Sequence, residues 1–117
     1  MTEKAQRKAL LAEYKQHRPA AGVYRIVNQR TQRALLGSSL NLPSVQAKLE
    51  FARSTNTPSA LDHRLGSDIR QFGLAAFTFE VLEVLETTPE MTPAQIQADL
   101  AALETLWRER QDPDRLY

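Results

Sequence analysis

Gly22-Val23-Tyr24-Arg25-Ile26-Val27, then Asn28-Gln29-Arg30-Thr31, then Ala34-Leu35-Leu36, is the stretch on which the fold reading turns. Val23, Arg25 and Val27 alternate with Tyr24 and Ile26, the two-residue period of a strand whose side chains point to opposite faces. A polar break of four or five residues and a second apolar run predict a β-hairpin.

Working outward, Gly37 is followed by Ser38-Ser39-Leu40-Asn41, read as a loop that supplies N-cap candidates for a helix over residues 42–53, with Val45, Leu49 and Ala52 on one stripe. Thr57 is expected to cap a further helix that has Pro58 in its first position, buries Leu61, Leu65, Ile69 and Phe72, and closes at Gly73. Residues 77–85 carry apolar side chains on both parities, which predicts a strand inside a sheet rather than at its edge. Thr92-Pro93-Ala94-Gln95 has the form of a capping box and opens a helix to about Arg110, with the stripe Ile96, Leu100, Leu103 and Trp107. Upstream, residues 3–17 read as a helix ended by Arg18-Pro19, because the residue before proline is pushed out of the α region. The order helix, hairpin, helix, helix, strand, helix predicts an α+β fold. A helical extension over residues 1–18 precedes one domain over residues 21–117.

A chain of 117 residues supports one core, and 42% hydrophobic with 25% charged residues is an ordinary globular composition. The absence of cysteine excludes disulfide scaffolds, thiolate metal sites and cysteine nucleophiles, and suits a reducing, cytoplasmic setting. Residues 1–18 mix basic and apolar positions without a continuous apolar run, so they do not read as a signal peptide, and no stretch approaches the ~20 apolar residues of a membrane span. The net charge of +1 is unevenly spread. Residues 1–58 hold ten Lys/Arg against three Asp/Glu, and residues 59–117 hold five against eleven. A basic half is what a phosphate-facing surface needs; two halves that neutralise each other on packing would look the same in sequence.

No phosphate loop, dinucleotide-binding glycine motif or H-E-x-x-H pair is present. His17 and His63 read as surface residues, and Ser38 and Ser39 have no evident histidine and carboxylate partners for a triad. Gly22-Val23-Tyr24, ten residues, then Leu35-Leu36-Gly37-Ser38-Ser39-Leu40-Asn41-Leu42 resembles the two signature segments of the GIY-YIG nuclease family. Phe72-Gly73, the strand from Phe77 to Glu83, and Leu103-Glu104 with Trp107 follow in that family's order, so the resemblance spans residues 21–117. It implies a central three-stranded antiparallel sheet flanked by helices, and DNA phosphodiester cleavage with one Mg2+ or Mn2+. By position, Tyr24 matches the first tyrosine of the hairpin and Glu104 the metal ligand.

Other positions depart from that pattern. Leu35 stands where the second tyrosine belongs, Val45 where an arginine belongs, and Leu49 where a basic or imidazole residue often follows; none of these side chains donates a hydrogen bond or carries charge. Losing one transition-state donor typically costs 10²–10³ in rate. The leading expectation is therefore a catalytically impaired domain that binds nucleic acid in a salt-sensitive, sequence-indifferent way, with Arg25, Arg30, Arg33, Lys48 and Arg53 on phosphate. The alternative is a divergent divalent-metal-dependent endonuclease with Glu104 as ligand, Tyr24 as the activating phenol and Arg53, two helical turns from Val45, as substitute cation. Without the resemblance, Tyr24 reads as a packed aromatic and Glu104 as a boundary carboxylate paired with Arg108. A third expectation is a protein-interaction module acting through the N-terminal helix.

Overall fold

The computed structural model describes residues 19–117. The expected N-terminal helix, with His17 and the partner surface assigned to it, lies outside the described residues. The fold is α+β: a three-stranded antiparallel sheet in the order β2-β1-β3, with strands β1 (Gly22–Asn28), β2 (Ala34–Ser39) and β3 (Phe77–Val84). Helices α1 (Leu42–Thr55), α2 (Gly66–Phe72) and α3 (Pro93–Glu109) flank it. Among the described residues no helix is long and apolar enough to cross a membrane.

The hairpin forms as its alternation predicts, with Val27 opposite Ala34, Ile26 opposite Leu35 and Tyr24 opposite Gly37. Its turn is set by Asn28, whose side-chain oxygen accepts from the Arg30 amide, while Gln32 takes a left-handed conformation at φ 64°. Asn28 is fully buried and its amide donates to Asp68 and to the Tyr117 hydroxyl, so a polar group in the core is satisfied on every side. Strand β2 runs on through Ser38 and Ser39, which were expected in a loop, because their backbones still pair with Val23 and Gly22; the helix cap is supplied by Asn41, whose side chain accepts from the Ser44 amide.

Two further expectations are corrected. β3 is an edge strand, not an interior one, and it is β1 that pairs on both sides. The apolar residues on both parities of β3 come from a bulge: Tyr24 pairs with Val81 and Val23 with Glu83, leaving Leu82 as an extra residue. Val84 is thereby returned to the side of the sheet that carries Phe77, Phe79 and Val81. The continuous helix expected from Pro58 is broken into two 3-10 turns, Pro58–Ala60 and His63–Leu65, before α2 begins. Asp62 causes the break, since its carboxylate accepts from the Arg64 amide and starts a new turn, while Leu61 is extended at ψ 170°. Leu65 and Ile69 are buried as expected, and the chain leaves α2 at Gly73 with φ 83°, a conformation that favours glycine.

The two sheet faces carry different loads. Ile26, Leu35 and Phe77 pack with Leu49 and Ala52 of α1 and with Leu65 and Ile69 in the main core. On the other face Val23, Val27 and Leu36 are buried where α3 packs across β1 and β2 through Ile96 and Leu100. The capping box of α3 is complete: Thr92 accepts from the Gln95 amide at 3.2 Å and the Gln95 side chain accepts from the Thr92 amide at 2.9 Å.

Close approach fixes β1 against β3 at Gly22, where an added methyl group would overlap the Glu83 carbonyl oxygen, which is backbone and has little room to move. Gly22→Ala is expected to destabilise the fold by about 1–3 kcal/mol. Urea unfolding checks this as a lower midpoint at unchanged slope, and an unchanged midpoint would contradict the close packing of the strands.

Candidate functional site

A cleft of about 570 Å3 opens where the hairpin meets α1, residues 58–65 and α3. Tyr24 and Glu104, the two positions singled out in the sequence, both line it. They reach it from opposite sides of the sheet: Tyr24 shares a side with Ile26 and Leu35 in the main core, whereas Glu104 comes from the helix that covers the other face.

Gly37 joins the two. It is the cross-strand partner of Tyr24, and the phenol lies across the space its side chain would fill, with the hydroxyl oxygen 2.8 Å from the position a Cβ would take. The ring is steadied from the other strand by Phe79, at 5.6 Å between centroids and tilted by 30°. Burial lifts the Tyr24 phenol above its ordinary value of 10.0; the carboxylates of Asp62 and Glu104 add to the rise and the Arg64 guanidinium opposes it. At neutral pH Tyr24 is thus a protonated hydroxyl, suited to donating a hydrogen bond to an anionic oxygen and unsuited to acting as a base.

Positive charge enters the cleft from three elements: Lys48 on α1, Arg64 on the second 3-10 turn and Arg108 on α3. Arg108 lies 3.8 Å from Glu104 at the i, i+4 spacing and also donates to the Leu36 carbonyl at 3.4 Å, which ties α3 to β2. Arg64 is held by its own turn. Its Nε and Nη2 donate to the two carboxylate oxygens of Asp62 at 3.1 and 2.8 Å, and its backbone amide donates to the same group at 2.9 Å. The hydrogen bond from the Arg64 side chain, then that from its amide, hold the Asp62 carboxyl at about 2, against an ordinary 3.8. The pair stays ionised from about pH 4 upward, and whatever it adds to folding is lost only as the pH falls from 3.8 through about 2.

The remaining sequence candidates are placed elsewhere. Arg53, the expected substitute cation, is exposed on α1 and does not line the cleft, whereas Arg64 does. Arg25 lies on the sheet face opposite Tyr24, does not line the cleft and is bound to Glu80 at 2.8 Å. Arg33 stacks over the Tyr117 ring at 4.4 Å and stands 3.9 Å from Asp68, while Arg30 is exposed at the hairpin turn. Of the five phosphate-contact candidates, Lys48 alone faces the cleft. Val45 lines it beside Lys48, Leu49 is buried in the core, and Leu35 belongs to both core and cleft floor. His63 is exposed, 3.6 Å from Asp62. Sequence reading missed Asp62 and Arg64 because they fell inside an assumed helix; an Asp two residues before an Arg, after a Pro-started turn, is the Asx-turn signal that was available.

A hard cation in the cleft would need oxygen ligands. Asp62 already accepts three hydrogen bonds from Arg64 and Glu104 stands 3.8 Å from Arg108, with Tyr24 and Ser38 also lining the cleft. Among the described residues no group of three or more His, Cys, Asp or Glu that could hold a metal occurs, so a metal ion here would depend on Glu104, water and ligand oxygens, a set that Mg2+ tolerates. No protein-family model, curated protein or solved structure matches this chain.

Ultraviolet titration of phenolate absorbance, taken as the difference between the protein and its Tyr24→Phe variant, is expected to show a midpoint above 10, moving higher still in Arg64→Ala. A midpoint below 10 would contradict the burial of this phenol beside two carboxylates.

Proposed function

We propose that the domain binds nucleic acid by the backbone phosphates, which lie in the cleft against Lys48, Arg64 and Arg108. The observation that carries this reading is the convergence of three cations from three elements on one cavity that also presents a protonated phenol. Phosphate oxygens accept charge-assisted hydrogen bonds from all four groups, and such contacts are indifferent to base sequence. DNA is the partner in this reading, and the lack of cysteine fits a cytoplasmic protein that meets it there.

Fluorescence anisotropy with a labelled mixed-sequence duplex tests it across a salt series. Three phosphate contacts give a slope of about −3 for log K against log salt. Lys48→Ala with Arg108→Ala is expected to flatten that slope by about 2 and to weaken binding. A protein whose DNA affinity ignores salt, or ignores loss of both cations, does not work this way.

A second reading, metal-dependent phosphodiester hydrolysis, is favoured by one specific observation: Tyr24 and Glu104 open onto the same cleft. Mg2+ or Mn2+, when bound, would neutralise phosphate charge and lower the pKa of a bound water. Glu104 is the residue to hold it, Tyr24 donates to a non-bridging oxygen, and Lys48 and Arg64 fix the phosphate. Nicking of supercoiled DNA in either metal, abolished in Glu104→Gln, supports this reading; equal nicking by both proteins assigns the activity to a contaminant.

A further inference from the structure

The guanidinium group of arginine presents two forks: a side-on one formed by Nε and one Nη, and an end-on one formed by the two Nη atoms. In Arg64 the side-on fork is taken, since Nε and Nη2 both donate to Asp62. Among the described residues Nη1 has no hydrogen-bond partner, so the end-on fork of Nη1 and the second Nη2 proton remains open. The pair spans only two residues, and the same carboxylate also accepts the Arg64 amide as the cap of the turn His63–Leu65. Both side chains line the cleft, and neither is deeply buried, with 48% and 31% of their surface exposed.

An exposed ion pair of this kind adds little to stability, so holding a long side chain in one geometry is the larger consequence of the arrangement. A flexible arginine loses rotamer freedom when it grips an anion; one already braced by its own turn loses less. The open fork has the spacing of two oxygens of a phosphate, which accept parallel N–H bonds from it.

We propose that Arg64 is the principal phosphate-gripping residue of the cleft, that it acts through its end-on fork, and that Asp62 is its positioning residue. The inference rests on the phosphate-binding reading above and adds to it a rank order among the cations and a distinct part for an acid. Asp62 places a negative charge in a site for anions, and on charge alone it opposes binding. Its removal therefore separates orientation from electrostatics, because the two predict opposite signs.

The test uses the full chain and the same labelled duplex, with Arg64→Ala, Arg64→Lys and Asp62→Asn beside Lys48→Ala and Arg108→Ala. Arg64→Ala is expected to weaken binding about tenfold, the largest single loss, and to flatten the salt slope by about 1. Arg64→Lys restores the slope, since the charge is back, and leaves most of the affinity loss, since lysine has no fork. Asp62→Asn weakens binding several-fold although the cleft loses a negative charge; asparagine still caps the turn, and thermal unfolding verifies that the fold is kept. Tighter binding by Asp62→Asn, or full rescue by Arg64→Lys, overturns the proposed geometry. If Lys48→Ala and Arg108→Ala weaken binding while Arg64→Ala does not, this inference fails and the phosphate-binding reading stands. If none of the three alanine variants changes the affinity, both fail together.

Discussion

The Tyr24 ring lies across β2 because the residue opposite it in the ladder, Gly37, has no side chain, and both residues line the cleft. Any Cβ at this place would meet the phenol oxygen and ring carbon at 2.8 and 2.9 Å, closer than carbon atoms approach in ordinary packing. The missing side chain lets a core aromatic extend its hydroxyl over an edge strand. The cleft wraps around the outer edge of β2, with Leu35 as floor on one side and Leu36 on the other. Gly22 plays the complementary part on the other flank of β1, where contact with the Glu83 carbonyl keeps β3 close.

Two of the three cations in the cleft are steadied by a nearby group, and all three stay exposed to solvent. Arg64 leans on Asp62, Arg108 on Glu104 and the Leu36 carbonyl. The stabilising value of such exposed pairs is small, on the order of 0–1 kcal/mol. The cleft presents three cations and two anions around a phenol held protonated. That composition attracts phosphate only modestly through its net charge. Two of its cations, Arg64 and Arg108, are also held in place by their neighbours, which lowers the ordering cost of any anion they would bind.

Much of the scaffold was legible in the sequence because it is local. The hairpin follows from alternation around a polar turn, the start of α3 from Thr92 and Gln95, and the end of α2 from Gly73. The joint presence of Tyr24 and Glu104 in one cleft was legible only through the order of short segments along the chain. What failed was non-local or competitive. A bulge at Leu82 imitates double-sided burial in a one-dimensional pattern, and Asp62 outcompetes helix continuation through a hydrogen bond that periodicity does not register. The split of charge between the two halves of the chain misled for a third reason: Arg25 and Arg33 of the basic half are matched with Glu80 and Asp68 of the acidic half once the chain is folded. The cations that reach the cleft come from both halves, and two of the three, Arg64 and Arg108, from the acidic one.

The aliphatic residues of the cleft bear on which chemistry it favours. Leu35 is 4% exposed and shared with the main core, and Val45 lines the cleft on α1 beside Lys48, so neither position offers a hydrogen-bond donor or a charge there. Binding and reaction are unequally sensitive to such replacements. Each transition-state donor removed costs 10²–10³ in rate, and groups that act as a unit fail together. Phosphate contacts contribute more independently, so under the proposed reading a cleft with three cations holds phosphate without further donors at Leu35 or Val45. Arg64 enters the cleft from a turn rather than from α1, so its charge reaches the cavity from a different direction than a side chain at Val45 would. A cation that approaches the phosphate from a new direction can neutralise it fully, yet in-line attack also requires water and leaving group on one axis, and the aliphatic floor has no donor with which to set that axis. If the cleft takes a phosphate as proposed, holding it asks less of these residues than cutting beside it.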